Sequence, residues 1–118
     1  MGLFHIVPRR EWEAREPDTL YEPVSFRKDG FIHLSSDRQL LATAARHFAH
    51  ENDLLVLSIR EGDVAHEVRY EEAHGELYPH LHAPLNPRTV VEVVALPRLT
   101  DGSFDVPAEW KPWEHYFR

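Results

Sequence analysis

The chain is 118 residues long, with 20 Asp and Glu against 13 Lys and Arg, nine His and no Cys. That length fits one domain burying its own core, and the missing cysteines exclude disulfides, thiolate zinc sites, redox pairs and cysteine nucleophiles. A formal charge of −7 argues against a dedicated nucleic-acid binder, which would carry a basic stripe, and no apolar run approaches the ~20 residues needed to cross a bilayer.

The apolar part of the opening MGLFHIVPRR is too short for a secretory leader, so a cytoplasmic protein is expected. Residues 3–7 (LFHIV) predict a strand. Pro8 then suits the first position of a short helix that carries Trp12 and stops at Pro17, with Glu11 and Arg15 spaced for an exposed ion pair. Residues 18–30 read as turns, closing on Lys28, Asp29 and Gly30, and FIHLS at 31–35 predicts a second strand. The clearest helix follows: Ser36 and Gln39 have the form of a capping box, and Leu40, Leu41, Ala44, Ala45 and Phe48 make one apolar stripe.

LLVLSIR at 54–60 is apolar on both faces, as a central strand is, and EVRYEE at 67–72 alternates. Within GELYPHLHAPL, Pro79 is expected to interrupt regular pairing, and TVVEVVAL at 89–96 predicts the last strand. From Leu99 onward the tail carries Phe104, Trp110, Trp113, Tyr116 and Phe117. So many aromatics in water would form an unusually apolar patch, so the tail is expected to pack on the domain or to form a partner interface. The class is α+β: a single domain with a mixed or antiparallel sheet core, one long helix and one short one.

Strand alternation puts residues two apart on one face. His5 then sides with Leu3 and Val7, and His33 with Phe31 and Ser35. Arg69 faces away from Val68 and Tyr70, and Tyr78, His80 and His82 line up around Pro79. If these polar faces converge, they form a cleft of imidazoles, a guanidinium, carboxylates and hydroxyls. Taken singly, each histidine is explained as a hydrogen-bonded structural residue. His80 and His82 form an HxH pair that places two imidazoles on one metal only with a third ligand, such as His33 or Glu76, and supporting hydrogen bonds. His47 and His50 complement a helix C-terminus, and His66, His74 and His115 fall in loops or the tail, so these five receive no role. No GxSxG, phosphate loop or GxGxxG is present.

The order of motifs is more specific than any one of them: FHIVPRREWE, GFIHLSS, LLVLSI, VRYEE and GELYPHLHAPL, then a valine-rich strand. In this it resembles domain-of-unknown-function family 952 over residues 3–98, with Tyr70 where the family has tryptophan. His82–Ala83 replaces an aromatic–glycine pair, which leaves His82 outside the candidate set. The resemblance implies a domain over 1–98, a tail over 99–118 and a fold similar to that of ADP-ribosylating enzymes. In those enzymes a strand-one His or Arg and a strand-two Ser or Tyr hold NAD, and a later glutamate stabilises the ribosyl cation.

By position, His5, Ser35 or His33, and Glu76 match. The expectation is a cleft for a nucleotide-like or phosphorylated small molecule that supports ribosyl or phosphoryl transfer, with NAD as cofactor by that fold analogy alone. Glu76, His33 and His80 are the catalytic candidates, and His5, Ser35, Arg69 and Tyr78 the ligand-binding ones; no metal ligand is assigned. The oligomeric state stays open. Two alternatives also remain open: a noncatalytic binding module working through the aromatic tail, and a histidine metal site.

Overall fold

The computed structural model describes residues 2–110, whose strands form two three-stranded antiparallel sheets. The first has the order β1 (Leu3–Pro8), β3 (Leu54–Ile59), β6 (Val90–Leu96), and the second β2 (Ile32–His33), β5 (Glu76–Leu81), β4 (Val68–Ala73). The central position of β3 explains its apolar sequence. Leu55, Leu57 and Ile59 enter one core with Leu3, Val7, Trp12, Ile32 and Leu81, while Leu54 and Val56 enter another on the opposite face. Where β1 runs past the end of β2, Phe4 and Ser35 exchange main-chain hydrogen bonds of 2.9 and 2.8 Å, joining the sheets at one point.

Four α-helices occur among the described residues: α1 (Arg9–Glu13), α2 (Phe26–Asp29), α3 (Leu40–His47) and α4 (Glu61–Val64). The expectation of one long and one short helix missed α2 and α4. Both are single turns too short to show an apolar period, and α2 closes on Gly30 at φ 78°. The capping box does form ahead of α3: Ser36 N–H donates to Gln39 Oε1 at 3.1 Å and Gln39 N–H to Ser36 Oγ at 3.3 Å. Leu40 and Ala44 of α3 then bury against Leu54, Val56, Val94 and Leu96, with Phe104 and Trp110 packed on the same core. Trp113, His115, Tyr116 and Phe117 lie outside the described residues.

Two local expectations are corrected. Glu11 does not pair with Arg15: its carboxylate accepts from Tyr21 Oη at 2.8 Å and Val24 N–H at 3.2 Å, while the Arg15 guanidinium lies 3.7 Å over the Trp12 ring. Pro79 does not interrupt pairing: β5 runs through it, in register with Tyr70 of β4. Its carbonyl accepts from Leu34 N–H at 3.0 Å, just beyond β2, so the missing proline N–H falls where that ladder ends.

His74 and Gly75 connect β4 to β5 with φ of 54° and 82°, the positive angles of a two-residue hairpin turn whose twist matches its strands. The resulting register pairs Arg69 with His80 and Glu71 with Tyr78, placing Glu71, His80 and His82 on one face. No helix among the described residues is long and apolar enough to cross a membrane.

A histidine-lined cleft as candidate functional site

Between β1, the end of β2, α2 and α3 lies a cleft of about 520 Å³ whose wall includes His5, His33, Ser35, Thr43 and His47. Three of these come from the sequence candidates.

His5 is buried at the centre of β1, opposite Leu57. Its Nδ1 lies 2.9 Å from the main-chain oxygen of His33. A carbonyl only accepts, so Nδ1 carries the proton and Nε2 presents a lone pair. Nε2 is buried and has no hydrogen-bond partner among the described residues. Burial holds the imidazole below its ordinary range, against the raising effect of the His33 carbonyl and of Glu11. His5 is therefore a neutral base with its acceptor nitrogen unspent.

Ser35 is 1% exposed. Its hydroxyl meets Thr43 Oγ1 at 2.8 Å, and Thr43 Oγ1 in turn donates to the Gln39 carbonyl at 3.1 Å. Thr43 has a single hydroxyl hydrogen and spends it on the carbonyl, so Ser35 donates to Thr43 and is left with acceptor capacity only.

His33 meets Asp29 at 2.9 Å, and His47 at the end of α3 lies 5.9 Å from it, ring to ring. Desolvation first, then His33 and Arg46, lower the His47 pKa. His47 had been explained by the helix dipole alone; the helix end that carries it also forms the cleft wall.

The remaining wall charges are Glu11, Asp29, Glu51 and Arg10. Arg10 is bound in a fork to Glu51 at 3.0 and 3.2 Å. The wall residues therefore offer acceptors in excess: the Ser35 hydroxyl oxygen, the His5 Nε2 lone pair and the carboxylates.

The other sequence candidates lie elsewhere. Glu76 begins β5, 43% exposed at its side chain, where it accepts from Gln39 Nε2 at 3.2 Å and sits 4.0 Å from Arg38. Tyr78 is buried beside Arg46, whose guanidinium donates to its hydroxyl at 3.4 Å, and Arg69 is exposed on β4. Neither they nor His80 belong to the cleft wall.

His80 adjoins the cleft through His33, ring centroids 5.5 Å apart, and stacks on Phe31 at 4.0 Å. Glu71, which lies in VRYEE but received no role from the sequence, accepts from His80 Nδ1 at 2.7 Å and His82 Nε2 at 2.8 Å. These bonds, His82's first, hold its carboxyl below the ordinary carboxylate range. The signal that finds Glu71 is the His74–Gly75 hairpin turn, which fixes the register between the two strands.

Fold and site together define a small α+β domain of two antiparallel sheets with a histidine-lined cleft where they meet. The chain belongs to the family of proteins of unknown function 952 (DUF952), which matches residues 6–93. It is similar to protein CC0527 from Caulobacter crescentus. To the X-ray structure of that protein it is 29% identical with a TM-score of 0.80, over 89% of this chain and 94% of the other. To the solution NMR structure it is 30% identical with a TM-score of 0.74, over 86% and 90%. No curated protein matches the chain.

Proposed function

We propose that the cleft binds a nucleotide-like small molecule in the cytoplasm and holds it chiefly through sugar hydroxyls. The observation that carries this reading is the buried His5 Nε2, an acceptor that has no partner among the described residues and belongs to a residue of the cleft wall, so that a ligand donor reaches it once the wall yields slightly. A buried polar atom without a partner costs about 1–3 kcal/mol, a penalty that a ligand O–H or N–H removes. Ser35, also left as an acceptor, adds a second contact of the same sense.

The wall chemistry favours a sugar over a bare phosphate. Glu11, Asp29 and Glu51 surround one arginine, Arg10, which Glu51 already occupies. A phosphorylated ligand would keep its phosphate toward the mouth. NAD and ADP-ribose are the first compounds to try, by the ADP-ribosylation-like architecture that the family resemblance implies.

In the transfer form of this reading, Glu76 stabilises an oxocarbenium-like centre while His33 or His80 moves a proton. That form requires Glu76 to leave Gln39 and reach the cleft, whereas binding does not. Arg69 and Tyr78 would then contact the distal part of the ligand, and the tail over 99–118 would complete the same domain.

A thermal-shift series over NAD, ADP-ribose, adenosine and ribose 5-phosphate tests the proposal. A ligand at one hundred times its Kd stabilises the fold by about 2.7 kcal/mol. We expect a rise in Tm with at least one sugar-bearing compound, reduced in His5→Phe. No rise with any of them overturns the reading.

A further inference from the structure

We propose that Glu71, His80 and His82 form a binding site for one divalent transition-metal ion of the zinc class. The site is independent of the cleft reading.

Glu71 lies on β4, diagonal to His80 on β5, and His82 follows one residue beyond the end of β5, its N–H bound to the Glu67 carbonyl. One ligand atom from each lies within 4.8 Å of the other two. His80 turns its near nitrogen, Nδ1, to Glu71 Oε1 at 2.7 Å, and His82 turns its far nitrogen, Nε2, to the same oxygen at 2.8 Å. The two rings thus already converge on one point through different nitrogens, near for His80 and far for His82.

Two imidazoles and a carboxylate are a donor set that selects zinc, nickel or copper over magnesium and calcium, which prefer oxygen alone. Both ring nitrogens that face Glu71 now carry hydrogen. On metal binding those two nitrogens give up their hydrogens to solvent or to the other ring nitrogen, and the ion takes their place between the rings and the carboxylate.

The surroundings suit a bound ion. Phe31 stacks on His80 at 4.0 Å and 16° and lies 5.2 Å from His82, fixing both rings from one side. On the other side the cluster opens to solvent: the Glu71 side chain is 41% exposed and that of His82 24%, against 9% for His80. Three protein ligands with one open direction leave a coordination position for water or substrate, the arrangement of reactive rather than purely structural zinc sites. His33 packs edge-on to His80 and also lines the cleft, so the open position would lie one imidazole away from it.

Titration of ZnCl2 into tag-free protein by calorimetry in a non-chelating buffer, with MgCl2 in excess, tests the proposal. We expect one ion per chain in wild type and in the exposed-histidine control His50→Ala. Affinity should fall by about 10- to 100-fold or more in Glu71→Gln and in His82→Ala, whose partly exposed positions leave the fold intact by circular dichroism. In imidazole 15N spectra, zinc should move the ring signals of His80 and His82 and spare those of His66. Absence of saturable binding overturns the proposal. So does binding that is equal in all variants, which would be diffuse attachment to surface histidines, or zinc binding lost equally in His50→Ala.

Discussion

His5 donates from Nδ1 to the main-chain oxygen of His33 at 2.9 Å, so the strand that carries one cleft imidazole sets the tautomer of the other. This single bond explains why a histidine sits in the middle of an apolar strand. The ring is anchored to backbone on one side and offers an unshared lone pair on the other. It also ties the two sheets together near the point where Phe4 pairs with Ser35.

The neutral state of His5 has a thermodynamic signature. Burial lowers its pKa in the folded chain, whereas in the unfolded chain it titrates near the ordinary value of about 6.5. Below that pH the unfolded state binds more protons, so stability rises with pH in this window and is lost on acidification. Urea unfolding from about pH 7 to about pH 5 should show a loss of up to about 1.4 kcal/mol per pH unit from this group. His5→Phe should flatten the profile, leaving the contribution of His47, which is shifted in the same direction. Parallel profiles for wild type and variant would contradict a neutral His5.

Gln39 is a better candidate for a structural role than Glu76. Its buried amide donates to the Leu77 carbonyl at 2.9 Å and to Glu76, and accepts from Ser36 N–H, tying the start of α3 to β5. Gln39→Met should cost about 1–3 kcal/mol in chemical denaturation, because main-chain groups lose their partner. Glu76→Gln keeps the hydrogen bond at an exposed position and should stay within about 0.5 kcal/mol of wild type. A large loss in Glu76→Gln would assign that carboxylate a structural role that the geometry does not give it.

The β4–β5 hairpin depends on its positive φ angles. Gly75→Val should cost about 1–2 kcal/mol, because a Cβ is disfavoured in the left-handed region. His74→Asn should be neutral or mildly stabilising, since Asn tolerates that region. The same denaturation series measures both, and equal effects at the two positions would argue against this turn.

The sequence was most legible where periodicity was long. The apolar run of β3, the capping box and most of the α3 stripe form as the residues dictate, because each rests on contacts within a few residues or on burial of whole faces; Ala45 is exposed, and Thr43 is buried beside Leu40 and Ala44. His5, His33 and Ser35 were legible as polar interruptions of apolar strands, and they meet in the cleft.

What escaped was pairing at a distance. Glu11 looked like a helix partner for Arg15 but is claimed by Tyr21, whose buried phenol is pushed up by desolvation and by that same carboxylate. Glu71 stands in VRYEE with nothing there to give it a role, and the register set by His74–Gly75 brings it to His80. Pro79 reads as a break in the sequence, which does not show that its missing N–H faces the end of β2 rather than β4.

The proposed binding in the cleft turns on one contact, a hydrogen bond from a sugar-bearing ligand to His5 Nε2. The most direct measurement is the imidazole 15N signal of His5 during titration with ADP-ribose, set against calorimetry of the same ligand on wild type and His5→Phe. The Nε2 resonance should move as an acceptor nitrogen gaining a hydrogen bond, while Nδ1 stays protonated, with affinity weakened about tenfold or more in the variant, the ~1.4 kcal/mol of one hydrogen bond. An unmoved Nε2 signal with binding equally tight in His5→Phe would contradict it.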